Sequence, residues 1–356
     1  MPNIFDPVRL GDLDLPNRIL MAPLTRSRAE PGHLPGALMV EYYRQRASAG
    51  LIIAEATMAM EGNSAFINEP GIYSDAHAAA WKNVTDAVHA AGGRIALQIW
   101  HGGRACHPLL NNGRQPVAPS AIAITGEQTH TPEGKVDYVV PHALAESEIP
   151  GIIEGFAQAA RHALAAGFDA VEIHGANGYL LDEFLRNSAN HRTDSYGGPI
   201  AQRARLLLEV VDAVSGVWGA GRVGVRLSPI NSYNAMRDSD PIGLTRFVAA
   251  ALSERKIAYL HMMRGDFAGL QEGDVMTPAR EAFAGALIGN MGYTAAEANE
   301  ALADGRLNAV AFGTPWIANP DLVQRLRTNA PLAMPDPAKF YSPGPEGYTD
   351  YPPLTP

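Results

Sequence analysis

The chain has 356 residues, of which 46% are apolar and 18% charged, so it can bury a large core. Its net charge of −9 and its lack of a dense Lys/Arg cluster argue against nucleic acid as the main partner. The single cysteine, Cys106, excludes an internal disulfide and any four-cysteine metal site. The apolar runs are too short to span a membrane and the N-terminal segment is not typical of a secretion signal, so we expect a cytoplasmic protein.

Short apolar runs rich in β-branched residues recur along the whole chain and predict eight strands. They cover residues 18–24, 51–57, 94–100, 169–175, 222–228, 257–263, 285–290 and 308–314. Most are almost continuously apolar, as is typical of parallel strands that are buried on both faces.

Segments with helical periodicity separate most of these runs. They cover residues 37–50, 75–93, 147–168, 199–219, 241–256 and 294–306. In the third segment Ser147 is the candidate N-cap, and Pro150 falls in the first turn. The alternation predicts an α/β fold, a (β/α)8 TIM barrel. A doubly wound sheet is the weaker alternative, because no G-x-G-x-x-G follows the first strand.

Two segments lie outside this repeat. Residues 1–17 predict a small hairpin that could plug the bottom of the barrel. Residues 105–146 are long, Pro-rich and irregular, and they follow the third strand, so we expect them to cap a site at the carboxyl ends of the strands. The whole chain, 1–356, is expected to form one barrel domain.

Residues 174–179 read His-Gly-Ala-Asn-Gly-Tyr and begin where the fourth predicted strand ends. His174, Asn177 and Tyr179 can all donate hydrogen bonds near neutral pH. This set suits a substrate that develops negative charge on oxygen and then takes up a proton. A satisfied core histidine is the alternative for His174. A metal site at Glu172 and His174 is disfavoured, because no third ligand follows at a suitable spacing.

Other polar residues fall inside or after the predicted strands, where barrel chemistry gathers. Gln98 and Arg226 lie in apolar strands, and together they would suit a planar heterocycle with N and O edges. A buried ion pair of Arg226 with Glu55 or Glu172 is the alternative. Glycine-containing turns follow strands seven and eight, at 289–292 and 313–315, where barrels often bind phosphate. A heterocycle with one phosphate suggests FMN.

Several long motifs carry a family resemblance that runs nearly end to end. They are NRILMAPLTRSRA (17–29), LQIWHGGR (97–104), VEIHGANGYLLDEFLRNSANHRTDSYGG (171–198), VGVRLSP (223–229), AFGTPWIANPDL (311–322) and EGYTDYP (346–352). The chain resembles the Old Yellow Enzyme family of FMN-dependent ene-reductases, and most of all its bacterial branch with N-ethylmaleimide reductase.

The resemblance implies where FMN would bind. Residues along or facing the flavin ring would be Pro23, Leu24, Thr25 and Ala56. Gln98 and Arg226 would bind its pyrimidine edge. Backbone and side-chain groups around the phosphate would come from Gly289, Asn290, Gly313 and Thr314.

The resemblance also implies a reaction. An activated C=C bond of an unsaturated aldehyde, ketone, imide or nitroalkene would be reduced at the expense of NADPH or NADH. His174 and Asn177 would bind the substrate oxygen, hydride would come from N5 of FMN, and Tyr179 would supply the proton. Residues that shape the substrate pocket would be Trp100, Phe267 and Tyr341.

The chain departs from the family pattern at Thr314, where the family usually has an arginine. An arginine would give phosphate a charge-assisted pair of hydrogen bonds, whereas threonine offers one neutral hydroxyl. Arg264 or Lys339 is the candidate replacement.

Rival functions remain open on the residues alone. A barrel hydrolase or lyase could use Glu172, His174 and Asp182 as acids and bases, and a flavin-storage protein would show no turnover. A dienoyl-CoA reductase with an iron–sulfur cluster is excluded by the single cysteine. We expect small-molecule partners only, no metal, no membrane, and a monomer or small homo-oligomer.

Overall fold

The structure, a computed structural model, describes residues 1–354 and contains a closed barrel of eight parallel strands. In chain order the barrel strands, numbered here one to eight, are Ile19–Met21, Ile52–Met58, Ile95–Trp100, Ala170–Gly175, Val223–Leu227, Tyr259–Met263, Ala286–Asn290 and Ala309–Phe312. Strand eight closes the barrel against strand one, with Val310 opposite Ile19. The predicted barrel is therefore confirmed, and the doubly wound alternative is wrong.

The longer helices lie within the segments that helical periodicity predicts. They are Ala37–Gln45, Asp75–Ala90, Ile149–Ala165, Arg205–Trp218, Pro241–Glu254 and Ala295–Ala303. Short helices complete the set at Leu180–Leu185, Ile200–Arg203, Met276–Ala282, Thr314–Ala318 and Leu322–Thr328. Ile200–Arg203 lies within the predicted segment 199–219, whereas the other four are too short to show a clear apolar period, which is why the sequence did not reveal them. No helix within residues 1–354 is long and apolar enough to cross a membrane.

The predicted N-cap of the third long helix is wrong. The helix begins at Ile149, after a 3₁₀ turn over Glu146–Glu148 that contains Ser147, and no side chain caps it. The carboxylate of Glu148 instead accepts a hydrogen bond from the backbone N–H of Ala145 at 2.6 Å. A carboxylate near the start of a helix also faces the positive end of its dipole. Pro150 lies in the first turn, as predicted.

The N-terminal segment forms the predicted plug. Val8–Leu10 and Leu13–Leu15 pair as an antiparallel hairpin. Leu10, Leu13 and Leu15 are buried in an apolar cluster with residues near the amino ends of barrel strands, such as Leu51. Burial of these leucines closes the end of the barrel that is opposite the carboxyl ends of the strands.

The insertion after strand three is more ordered than its sequence suggests. Gln128–Thr131 and Gly134–Asp137 form an antiparallel hairpin, called the capping hairpin below. Val117–Ala118 pairs in parallel with His142–Ala143. Residues of the capping hairpin and Tyr179 line the same cavity. The insertion therefore caps the carboxyl end of the barrel, as predicted.

Candidate active site

A cavity of about 630 Å³ opens at the carboxyl ends of the barrel strands. Predicted site residues that line it are Pro23, Leu24, Thr25, Asn177, Tyr179, Arg226, Phe267, Asn290, Gly313, Thr314 and Tyr341. Lining residues that the sequence reasoning missed include Phe66, Tyr233, Tyr293 and Phe340. Phe267 and Tyr341 stand at the mouth, because they are 61% and 59% exposed.

The remaining predicted residues lie behind the cavity wall; they are Ala56, Gln98, Trp100, His174 and Gly289. Trp100 is fully buried and packs edge-on against Tyr179, with ring centroids 4.3 Å apart. A Cβ atom at Gly289 would lie 2.5 Å from Leu307 Cδ1. That position therefore needs glycine for packing, whatever its part in phosphate binding.

The loop after strand four adopts an unusual backbone that places Asn177 in the cavity wall. Asn177 and Gly178 both have positive φ, at 56° and 72°. A Cβ atom at Gly178 would lie 2.6 Å from the Cβ of Asn234 and 2.8 Å from the carbonyl oxygen of Tyr233. Only glycine fits there, and asparagine is among the residues that tolerate this region best.

A chain of hydrogen bonds fixes the orientation of the Asn177 amide. The backbone N–H of Phe267 donates to Asn231 Oδ1 at 3.1 Å, so the amino group of the Asn231 amide points away from Phe267. That group donates to Asn177 Oδ1 at 2.8 Å. Asn177 therefore turns its own N–H donors away from Asn231 and leaves them free for a ligand. Asn231 is fully buried and was not singled out from the sequence.

His174 is a neutral hydrogen-bond donor in this arrangement. Burial lowers the pKa of His174 to about 3, and the charge of Arg226 acts in the same direction. The backbone N–H of Ala176 donates to Nδ1 at 3.3 Å, so the ring proton of the neutral form belongs on Nε2. The neutral His174 ring also packs against Tyr179, and the two ring centroids are 5.3 Å apart.

Tyr179 lines the cavity, and its phenol stays protonated. Burial raises the pKa of Tyr179 well above its usual value of 10, and the nearby phenol of Tyr233 acts in the same direction. The ring is held between Trp100 and His174, both of which meet it edge-on. A fixed phenol of this kind can donate a hydrogen bond or a proton, and it does not act as a base.

Arg226 makes no ion pair with Glu55 or Glu172, so that alternative is wrong. Its Nη2 donates to Asn290 Oδ1 at 2.9 Å, and Asn290 in turn donates to the carbonyl oxygen of Ala311 at 2.7 Å. Its Nε is buried without a hydrogen-bond partner in residues 1–354. The Arg226 side chain lines the cavity, and a buried donor without a partner beside a cavity is a candidate for a hydrogen bond to a ligand.

The carboxylates of the rival hydrolase are occupied elsewhere. Glu172 accepts hydrogen bonds from Gln98 at 2.7 Å and from His261 at 2.9 Å. Asp182 pairs with Arg186 at 3.1 Å inside the protein. Neither carboxylate lines the cavity, so neither is placed to act as an acid or base there.

The turns after strands seven and eight form the far end of the cavity, beside Thr314. No hydrogen bond within the described chain engages the backbone N–H of Gly292 or Thr314. Arg264 braces the first turn, since it donates to the carbonyl oxygens of Met291 and Gly292, each at 2.9 Å. Lys339 pairs with a carboxylate, Glu346, at 2.6 Å and does not line the cavity. Of the two candidate replacement cations, only Arg264 lies at this turn.

Two arginines from the loop after strand one hold the C-terminal segment over the cavity. Arg26 donates to the carbonyl oxygens of Phe340 and Gly347 at 3.0 and 2.7 Å. Arg28 donates to the same oxygen of Phe340 at 2.7 Å and lies over the Tyr348 ring, 4.7 Å from its centroid. These contacts fix Tyr341 at the mouth of the cavity. They also engage both guanidinium groups in hydrogen bonds within the protein.

A second cavity of about 540 Å³ adjoins the first beneath the capping hairpin. The two share Phe66, Tyr179, Tyr233 and Tyr341 in their walls. Neither Lys nor Arg lines the second cavity. A ligand at Tyr179 can therefore extend into a space that is lined by aromatic and polar side chains without Lys, Arg, Asp or Glu.

Comparisons with known proteins show the family of this chain. Residues 3–333 match the NADH:flavin oxidoreductase / NADH oxidase family. A probable flavin mononucleotide-dependent alkene reductase of Leishmania infantum is 50% identical over 351 residues, which cover 97% of this chain and 96% of the relative.

Solved structures give the same result. Morphinone reductase in complex with tetrahydroNAD matches with a TM-score of 0.95 and 47% identity, over 100% of this chain and 98% of that one. The old yellow enzyme from Trypanosoma cruzi matches with a TM-score of 0.97 and 42% identity, over 99% of both chains. The chain therefore belongs to the Old Yellow Enzyme family of FMN-dependent oxidoreductases and is an alkene reductase of that family.

Proposed function

We propose that this alkene reductase uses NADPH or NADH to reduce the activated C=C bond of α,β-unsaturated aldehydes, ketones, imides or nitroalkenes. The observation that carries the proposal is a set of two neutral donors and one protonated phenol. Asn177 and Tyr179 line a cavity with a buried guanidinium, and His174 packs against Tyr179 behind the wall of that cavity. Such a set matches a substrate whose oxygen gains negative charge before a carbon takes up a proton.

The polar groups beside the cavity fit the edge of a flavin. Arg226 keeps a buried Nε donor without a partner, which suits the N1 and carbonyl side of the pyrimidine ring. Gln98 donates its amino group to Glu172, so its carbonyl oxygen is left to accept from the ring N3–H. Pro23, Leu24 and Thr25 would lie along the ring. When bound, FMN would supply the hydride chemistry that links the nicotinamide coenzyme to the substrate β-carbon.

His174 and Asn177 orient and polarise the substrate. The Nε2 proton of His174 and the amide N–H of Asn177 would both donate to the carbonyl or nitro oxygen. As negative charge develops on that oxygen, the two hydrogen bonds strengthen, and such donors contribute most when they are already oriented. Asn231 provides that orientation, because its bond to Asn177 is present before any substrate binds.

Tyr179 supplies the proton to the α-carbon. Its phenol is protonated across the physiological pH range, since burial raises its pKa. Trp100 and His174 hold the ring edge-on, so the hydroxyl position is defined without help from the substrate. Phe267 and Tyr341 at the mouth would exclude water and shape the space for the substrate.

An anaerobic substrate panel tests the proposal. The purified yellow protein is mixed with NADH or NADPH and with one enal, enone, imide or nitroalkene, and products are separated by gas chromatography. We expect saturated products from each class, and we expect Tyr179→Phe to slow the enones most. Coenzyme oxidation without any saturated product would contradict the proposal.

A further inference from the structure

A group of polar side chains lies inside the barrel beside Arg226. This interior cluster consists of Gln98, Glu172, Tyr259 and His261, which are all at most 1% exposed. Glu172 of strand four lies opposite Gln98 of strand three, and Arg226 of strand five lies opposite His261 of strand six. Polar side chains at such a depth are costly unless they are paired, so their pairing carries information about their role.

Glu172 fixes the direction of the Gln98 amide. Its Oε1 accepts from Gln98 Nε2 at 2.7 Å. Because a carboxylate only accepts hydrogen bonds, the amino end of the amide must face it. The carbonyl oxygen of Gln98 then faces away, and no residue of the described chain donates to it.

Glu172 is itself held from the other side. Its Oε2 lies 2.9 Å from Nδ1 of His261, and both side chains are fully buried. Burial lowers the pKa of His261, so a neutral ring with its proton on Nδ1 is the form that donates here. Tyr259 lies near Glu172; burial raises the pKa of the Tyr259 phenol, and the charge of Glu172 raises it further. The Tyr259 ring packs over Gly224 of strand five, where a Cβ atom would lie 2.2 Å from it. The carboxylate therefore has one fixed position.

We propose that Glu172 is a positioning residue for the flavin, which aims the Gln98 carbonyl oxygen at the ring N3–H and places a negative charge beside the pyrimidine edge. The inference rests on the flavin placement proposed above. It gives a role to a carboxylate that touches neither substrate nor coenzyme.

The positioning role predicts a coupling between Glu172 and Gln98 in FMN affinity. Glu172→Ala lets the amide rotate, so FMN should bind about five- to tenfold more weakly, which corresponds to one neutral hydrogen bond. Glu172→Gln keeps an oxygen that accepts from Gln98, so it should bind FMN within about twofold of the unmodified protein. In a Gln98→Ala background, Glu172→Ala should have no further effect. FMN fluorescence quenching measures each dissociation constant.

The charge of Glu172 predicts a shift in the midpoint potential of the bound flavin. Two-electron reduction adds negative charge to FMN, and a nearby carboxylate opposes it. Glu172→Gln removes that charge, so the ratio of affinities for reduced and oxidised FMN should rise by about tenfold, or ~30 mV in the positive direction. Glu209→Gln is the control for loss of one negative charge. The Glu209 carboxylate pairs with Arg205 at 2.8 Å on the helix Arg205–Trp218 and has no hydrogen bond to the interior cluster, so the flavin potential should stay unchanged in this variant.

The results separate this inference from the proposed function. The positioning role would be overturned if Glu172→Ala lowered FMN affinity equally in the unmodified and the Gln98→Ala backgrounds. It would also be overturned if the midpoint potential were unchanged in Glu172→Gln. If Glu172→Ala does not fold, the potential of Glu172→Gln decides. If the unmodified protein reduces alkenes but the variants do not show the predicted changes, only this inference is overturned. If the unmodified protein binds no FMN, the proposed function is overturned.

Discussion

Thr314→Arg should increase the retention of FMN. Thr314 lines the far end of the cavity, where the family resemblance leads one to expect arginine, and it is exposed. In the flavin placement proposed above, its neutral hydroxyl would face the FMN phosphate, which is a dianion near neutral pH. Arg264, the cation at the neighbouring turn, already donates to two backbone carbonyl oxygens and to Glu297 at 3.3 Å.

The size of the effect follows from these contacts. A hydrogen bond to a charged group contributes about 1.5–3 kcal/mol when it is protected from water. Exposure of Thr314 reduces this to about 1–2 kcal/mol, or roughly five- to thirtyfold in the dissociation constant. Because the gain is electrostatic, it should shrink as salt is added. Thr314→Gln, which adds length and donors without charge, should change the affinity by less than about twofold.

Recovery of FMN fluorescence after dilution measures the dissociation of each variant at low and high salt. The expected order is Thr314→Arg tightest, with Thr314→Gln and the unmodified protein close together. If the arginine variant bound FMN equally or more weakly, the phosphate would already have its cation, and Arg264 would be the group to substitute next.

Three further predictions concern the substrate side of the cavity. Replacing His174 or Asn177 with alanine should weaken the complex with p-hydroxybenzaldehyde by roughly 1.5–3 kcal/mol each, and unchanged spectroscopic titration in the double variant would exclude both as oxygen ligands. Tyr179→Phe should leave the rate of flavin reduction by NADPH unchanged but slow enone reduction about 10²–10⁴-fold in stopped-flow traces, and nitroalkene reduction should slow less. Equal losses of rate in both half-reactions would contradict the role of Tyr179 as the acid. The pKa of His174 is lowered to about 3, so the ring is neutral above about pH 4. The pH profile of phenol binding should therefore show no titration of His174 between pH 5 and 8, and an inflection in that profile that disappears in His174→Ala would contradict this.

Local sequence patterns predicted the barrel and many residues at its open end, because strand alternation and the positions of strand ends are properties of short segments. Thr25, Asn177 and Asn290 each follow or end a strand, so the fold alone brings them to one cavity. The short helix Met276–Ala282 escaped prediction because its few turns show little periodicity. The position of Ser147 indicated a cap, but the preceding chain forms a 3₁₀ turn instead.

The contacts that hold the site in place depend on distant parts of the chain. The amide of Asn231 orients Asn177 from 54 positions away, and Arg26 reaches a carbonyl oxygen at Gly347 across 321 positions. No local pattern encodes such pairs. A partial signal did exist for Glu172, an acidic residue in an apolar strand, but only the structure shows that its partners are Gln98 and His261.

The reaction itself is tested most directly by anaerobic titration. The yellow protein is first reduced with one equivalent of NADH or NADPH and then titrated with cyclohexenone while the flavin absorbance is followed. We predict that the oxidised spectrum returns with one equivalent of cyclohexenone and that an equal amount of cyclohexanone forms. A flavin that stays reduced in the presence of excess cyclohexenone, or that reoxidises without any cyclohexanone, would contradict the account.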